Sequence, residues 1–574
     1  YGNSSVMNIQ ILVFYFVMVG SIWAQVVPPT FLARADDDTA GLQSNVVVEI
    51  IDQGKKTIWF GTGKGLSFIE VSSGEEEEPE PYTFPNEELF KNEKSTDNGI
   101  SAIGVIDCRT KECVDNKTVL VAAATKIEKE TAGGGLAWSQ DSDLLSSATW
   151  KYIKQPRDGA DEVSVKWGGV TLKALPVTVE QNNVTYDISI GEIYYWIASW
   201  AGGLRRIKKD SLNKDVDAEW KRVPLPLDTQ NDFICGDPDS SYVLDDEGNI
   251  GNPGFPDYEL NPRDPPLGNH NHKAFSVITY EDTVWVGTAN GINRGIMDAT
   301  YNQEKEKWEA DSECVDWKHY SFPTSSMSGN WVIAIEKQEW EGRRTIWAVT
   351  RAADQAGEQN GISYTKNDGE TWQTVSLLKG EYGYNIFSID GLVYIATRSG
   401  LWRTHDGQSF ALYRPAMDEK NDQIIDNDVY AILHDTRESN VEDEALWIGT
   451  GDGLARTYTP NSNTSNWKIY RSNVSSITAY AYPNPFSPTF HNRMDGDGYV
   501  RFKSPGWRGT NLTLTILNFA MEEVRTINYT NNEGKGALKW DGRDESGTLV
   551  ANGTYFCNLH YNDTSHWVTL VVVK

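Results

Sequence analysis

Basic residues, cysteines and long apolar runs are all scarce in this chain of 574 residues. Lys and Arg number 52 against 81 Asp and Glu, a formal charge of −29, which argues against nucleic acid or another polyanion as the main partner. Five cysteines occur, and no CxxC pair or Cys/His cluster has zinc spacing, so a structural zinc site is not expected. A Gly-rich phosphate loop, a nucleophile elbow and a dinucleotide fingerprint are likewise missing. Past residue 24 no apolar segment reaches spanning length, so no membrane span is expected once a leader is removed.

Aromatic residues are plentiful instead, with 21 Trp, 26 Tyr and 18 Phe beside 49 Gly. So many large rings exclude global disorder, and with that glycine content they point to short strands joined by turns. The apolar run Ile11 to Val19, followed by Gly20, Ser21 and the small Ala24, reads as a secretory signal cut near Ala24. Tyr1 to Val6 then form an upstream extension, and residues 25–44 a linker. An odd number of cysteines in a secreted chain leaves at least one outside any internal pair. Cys108 and Cys113 flank a polar turn that can close a small loop, whereas Cys235 and Cys314 can pair only if the fold brings them together. Cys557 is left open.

Internal similarity sets the architecture. Thr57-Ile-Trp-Phe-Gly-Thr-Gly-Lys-Gly-Leu66, Thr283-Val-Trp-Val-Gly-Thr-Ala-Asn-Gly-Ile292 and Ala445-Leu-Trp-Ile-Gly-Thr-Gly-Asp-Gly-Leu454 are one motif, with looser copies at Val119, Tyr195, Thr345 and Val393. Each copy follows an alternating apolar stretch, such as Val46 to Ile51 or Val429 to Leu433, and most units close on an aromatic signature such as Trp317-Lys-His-Tyr320. The period of two marks strands, so each unit holds four. Seven units predict an all-β, seven-bladed β-propeller over 45–475, because radial repetition of four-stranded sheets leaves only short, protected edges. The motif glycines are expected in tight hairpins, and the tryptophans in the core.

These Trp-Ile-Gly-Thr-x-x-Gly-Leu units resemble the propeller repeats of the two-component-regulator sensor family. Thr365 to Trp372 is similar to the Asp-box hairpin of sialidase-like propellers, with Asn367 at its first Asp, and Arg403 to Phe410 is a worn copy. In those families the box is an outer structural turn, which implies a fold and not a hydrolase. Arg205, Arg206, Arg294, Arg403 and Arg456 recur after the third-strand motif and read as repeat features.

No cofactor is called for. The one metal candidate is the Pro-rich stretch from Gly236 to His272, where Asp237, Asp239 and Asp245 offer hard oxygen ligands of the kind Ca²⁺ prefers, although Tyr242 stands where an EF-type loop needs glycine. His270 and His272 lack a third ligand in sequence and read as solvated loop.

From Ser476 onward nine Lys/Arg face nine Asp/Glu, so the negative charge belongs to what precedes. About a hundred residues of alternating strands suggest a small immunoglobulin-like β-sandwich over 476–574. This stretch resembles the immunoglobulin-like domain of flagellar hook-capping proteins and the C-terminal sorting domain of type IX secretion cargo, through Pro483-Asn484-Pro485-Phe486, Trp540-Asp541-Gly542, Gly553-Thr-Tyr555-Phe and the terminal Val-Val-Val-Lys574. The resemblance implies recognition by outer-membrane secretion machinery and a secreted or surface-anchored location. The expected function is a binding scaffold with a glycan or protein ligand on the propeller face. The alternatives are a sialidase-like glycan hydrolase and an accessory component of the secretion apparatus.

Overall fold

A computed structural model describes residues 42, 44–54, 57–70, 82–84, 89–90, 99–109, 118–127, 130–139, 150–212, 219–236, 243–244, 250–251, 258–353, 355–414, 423–436, 444–460, 467–472, 478–504, 507, 511–530 and 538–574. The proposed leader, most of the linker, Cys113, and Asp237, Asp239 and Asp245 lie outside these residues.

The chain is nearly all-β. Seven sheets of consecutive antiparallel strands are present among the described residues, each with the strand order 1-2-3-4, and the fourth carries a fifth strand, Asp232–Phe233, on its outer edge. The innermost strands of blades 1 to 7 are Val47–Asp52, Gly99–Val105, Thr185–Ile190, Ala274–Tyr280, Trp331–Trp340, Gly383–Ile389 and Val429–Asp435. Each touches the next, and the seventh returns to the first, so the sheets close a propeller ring. Among the described residues blade 1 and blade 7 share no strand. Their seam is closed by packing of Phe60 on Trp447, ring centroids 5.6 Å apart, and by Asn45 Oδ1, which accepts the Ser472 N–H at 2.8 Å.

Every letter of the repeat has a mechanical use. The motif Thr donates its hydroxyl to the carbonyl of the hairpin glycine: Thr62 to Gly65, Thr288 to Gly291, Thr397 to Gly400 and Thr450 to Gly453, at 2.8 to 3.1 Å. Gly291 and Gly453 there have φ of 95° and 127°, which glycine tolerates at no steric cost. The glycine before the Thr serves a purpose that the sequence did not announce. It lies within the second strand, where the next blade approaches so closely that a Cβ on Gly287 would sit 2.4 Å from the Val332 carbonyl oxygen. The motif Trp fills the blade interior, and Trp59, Trp196, Trp285, Trp347 and Trp447 are all buried. The Asp-box turn lies between the third and fourth strands of blade 5, where Asn367 Oδ1 accepts the Thr371 N–H at 3.0 Å.

Two main sheets build the C-terminal module, beside the short pair Arg493–Met494 and Asp497–Gly498. One holds Tyr480–Tyr482, Val500–Lys503 and Lys539–Trp540. The other orders Glu523–Tyr529, Leu512–Leu517, Gly553–Tyr561 and Thr564–Val572. Phe486, Leu514, Ile516, Trp540, Cys557 and Leu570 fill the core between them. Cys235 and Cys314, 79 residues apart, are joined as a disulfide, Cys108 is also disulfide-bonded, and Cys557 is free and buried. His272 corrects an expectation. It is not solvated loop but a core residue whose Nε2 meets the Leu225 carbonyl at 3.1 Å, and burial pushes its pKa down to about 4.

Candidate functional site: the ring channel and the C-terminal module

The innermost strands face the ring axis and line a cavity of about 370 Å³. Half of its wall is Ile and Val, interrupted by three carboxyl side chains, Glu49, Asp187 and Glu336, and by the Arg351 guanidinium. Glu49 and Asp187 occupy the same register position, opposite the small motif residues Gly61 and Ala198, while Glu336 lies opposite Trp347. Removal from bulk water pushes Glu49 and Glu336 up to about 8, with the negative field of Asp187 adding to both. Burial also raises Asp187, to about 6, against the opposing pull of two main-chain donors. At neutral pH one ionised carboxylate therefore shares the channel with two neutral acids.

Neutral acid beside carboxylate is the combination that acid–base hydrolysis uses. Asp187, however, already serves the fold. Its oxygens accept the N–H of Ile188 and, from the next blade, of Val277, both at 2.8 Å, so it clamps two innermost strands together. No group of three His, Cys, Asp or Glu among the described residues is arranged to hold a metal ion.

The recurring arginines do not converge on this channel. Arg206, Arg294, Arg403 and Arg456 stand directly across the strand pair from Trp196, Trp285, Tyr394 and Trp447. Arg206 and Arg456 lie over Trp196 and Trp447 at 5.1 and 5.2 Å. For these two the recurrence reflects cation–π packing inside the blades.

The residues singled out in the C-terminal module gather around its last strand. Asn484 Nδ2 donates to the Thr569 carbonyl at 2.8 Å and its Oδ1 accepts the Val571 N–H at 3.0 Å, while the Phe486 N–H donates to Val571 O and the Val573 N–H to Phe486 O. Phe486 is fully buried beside Trp540, which stacks edge-on with Tyr555 at 5.7 Å. Gly542 has φ of 70°, and a Cβ there would press into Pro488 at 2.6 Å. Asp541 accepts from Arg525 at 3.0 Å, and the Trp540 indole N–H donates to the Arg543 carbonyl. Pro485 and Lys574 are exposed, Pro483 is half-buried, and Gly553 opens the strand that pairs with the last one.

Residues 492–565 match the FlgD Ig-like domain family. No curated protein matches the chain. Among solved structures it is similar to PorZ of Porphyromonas gingivalis, an essential bacterial surface component of the type-IX secretion system, at 13% identity and TM-score 0.28 over 91% of this chain and 64% of that one. This chain thus spans less than two thirds of the PorZ chain. It is also similar to the GH74 enzyme of Niastella koreensis, at 10% identity and TM-score 0.42 over 95% of this chain and 75% of that one. A third neighbour is the extracellular domain of a putative one component system from B. thetaiotaomicron, at 10% identity and TM-score 0.22 over 92% and 80%.

Sequence reasoning missed two features. The channel carboxyls carry no repeated signature and emerge only once the strand register is known. The second is a latch between propeller and module, where Asp452 of blade 7, fully buried, receives Arg501 of the module and Arg471 of its own blade, both at 2.6 Å.

Proposed function

We propose that this chain is a secreted or cell-surface β-propeller binding protein, exported by a type IX-like system that recognises its folded C-terminal module. One observation supports this most: Asn484 and Phe486, 85 or more residues before their partners on the last strand, are hydrogen-bonded to it. The scattered motif residues therefore act through one folded unit, in which the buried Phe486 and Trp540 fix the last strand and the exposed Asn484, Pro485 and Lys574 are left for a receptor to meet. The FlgD Ig-like match of 492–565 fits that role for the module, and the Cys235–Cys314 disulfide fits an oxidising compartment. The test is surface accessibility to added protease in a type IX-competent host and in a secretion-deficient sister strain. The full chain is expected at the surface only in the competent host, and a chain ending at Ser475 in neither. Surface display of the shortened chain, or of the full chain in the deficient strain, would overturn the proposal.

A second function, glycan hydrolysis, is favoured by the three carboxyl side chains, Glu49, Asp187 and Glu336, that share the channel wall, with burial holding Glu49 and Glu336 toward the neutral acid. Turnover of chromogenic glycosides that is abolished by Glu49→Gln or Glu336→Gln would establish it, and absence of turnover across a glycoside panel would remove it.

A further inference from the structure

Between blades 2 and 3 the chain makes an excursion that the repeat does not require. Strands Ser164–Trp167 and Val170–Ala174 pair with each other, and the second also pairs with Glu259–Leu260. Residues of this excursion and the outer strands of blade 3 enclose a cavity of about 1230 Å³. We infer that this cavity binds an acidic sugar, a uronic acid residue of a glycan, with its carboxylate on Arg206. The inference rests on the binding-protein proposal and gives it a ligand class.

Charge is the first ground. Arg205, Arg206 and Arg222 line the cavity and are 3%, 4% and 7% exposed, against a single buried carboxylate, Asp158, at 7%. Asp158 is taken by Arg205 at 2.6 Å and Arg222 at 3.0 Å. Arg206 has no carboxylate partner among the described residues, and its one protein acceptor there is the main-chain carbonyl of Glu313. Buried charge is costly unless paired, and Arg206 is balanced only by the more distant Glu313 carboxylate and by the aromatic rings it lies over. Burial lowers the Arg206 pKa to about 10, which leaves it cationic at neutral pH.

Unused donors are the second ground. Arg206 lies over the rings of Tyr194 at 4.2 Å and of Trp167 at 5.1 Å. Among the described residues the Tyr194 hydroxyl and the indole N–H groups of Trp167 and Trp220 are buried without any hydrogen-bond partner, and all three residues line the cavity. Blade-core indoles such as those of Trp196 and Trp447 are orphaned as well, so the feature particular to this cavity is the Tyr194 hydroxyl beside the Arg206 guanidinium, two donors for a ligand rich in acceptors. A uronic acid supplies a carboxylate with bidentate geometry for Arg206, hydroxyls for the orphan donors and an apolar pyranose face for the aromatic walls. An acidic peptide supplies the carboxylates without that density of hydroxyl acceptors.

Calorimetric titration of the purified full chain with trigalacturonate, an uncharged trisaccharide and triglutamate tests the assignment. Trigalacturonate is expected to bind, with the uncharged sugar and the peptide weaker by about tenfold or more. Arg206→Gln is expected to lose about ten- to a hundredfold in affinity, the range of a charge-assisted hydrogen bond. Should that variant fail to fold, Tyr194→Phe decides: it deletes a hydroxyl with no hydrogen-bond partner among the described residues, so the melting temperature holds while trigalacturonate weakens about fivefold. No binding of trigalacturonate, unchanged affinity in either folded variant, or tighter binding of triglutamate overturns the inference. Titration uses purified protein, so failed export leaves its outcome untouched, and failed titration with normal export removes the ligand assignment alone.

Discussion

Gly383 is packed against Val349 so tightly that a Cβ on the glycine would stand 2.4 Å from Val349 Cγ1. The pair lies on the seam between blades 5 and 6. In the seam after blade 4 the small residue is on the second strand and the large one on the next innermost strand, Gly287 against Val332, and the seam after blade 7 repeats this with Gly449 against Val47. Blade 5 reverses the sizes. Gly383→Ala is therefore expected to cost about 1–3 kcal/mol through overpacking. In a Val349→Ala background the clashing methyl is gone, and the next atoms to meet the new Cβ are Ile362 Cδ1 at 3.4 Å and Val349 Cβ at 3.7 Å. Denaturant unfolding of the four proteins in this cycle should show the double variant less destabilised than the sum of the singles by about 1 kcal/mol or more; simple additivity would mean that the seam adjusts by backbone movement.

That reversal marks the limit of what the repeat made legible. Trp, Thr and the hairpin glycines recur because each blade must fill its interior and close its turn alone, so they survive as a readable pattern. Seam contacts need only a fitting sum of two volumes, and either partner can be the small one, which erases the pattern at Val349 and Gly383. The excursion strand Ser164–Trp167 and the latch residue Asp452 occur once each, with no second copy to compare, and the Arg501 partner of Asp452 lies in the other module. The channel acids were hidden for a different reason, since Asp and Glu are abundant throughout the chain and only strand register separates Glu49 from its neighbours.

Asp452 and Arg501 join propeller to module through a buried ion pair shared with Arg471. Breaking such a pair leaves uncompensated buried charge. Asp452→Ala is expected to destabilise by about 3–5 kcal/mol and to let protease digest the C-terminal module before the propeller itself unfolds. Unchanged unfolding and unchanged cleavage would show that the latch contributes nothing to holding the two parts together.

Channel acidity gives a pH signature. Glu49 and Glu336 titrate near 8 when folded and near 4.5 when unfolded, so the unfolded chain releases their protons first as pH rises. Their contribution is most favourable below about pH 4.5 and is lost progressively up to about pH 8. Glu49→Gln, which stays neutral, is expected to be more stable than the parent by about 4 kcal/mol at pH 8, with the difference fading by pH 4.5. Denaturant midpoints measured across that interval check it, and a difference that grows toward acid would contradict the placement of Glu49 in a desolvated channel.

The free thiol is equally testable. Burial pushes Cys557 up to about 12, so it is both enclosed and protonated. Thiol titration without reductant is expected to find no reactive group in the native protein and one equivalent after unfolding. A reactive thiol in the folded chain would mean that the core around Leu514, Ile516 and Leu570 opens.

Asn484 and Lys574 separate folding from addressing in the C-terminal module. Asn484 bridges Thr569 and Val571 with two hydrogen bonds, and losing both in Asn484→Ala is expected to cost about 1–2 kcal/mol. Lys574 is exposed, and its ammonium reaches only the Leu549 carbonyl among the described residues, at 3.4 Å, so Lys574→Ala should change stability by less than about 0.5 kcal/mol. If the surface around the last strand is what a secretion receptor reads, Lys574→Ala lowers surface display while the melting temperature stays put. Display that instead falls only in step with stability, in Asn484→Ala but not in Lys574→Ala, would assign these residues to holding the last strand and leave the address elsewhere in the module.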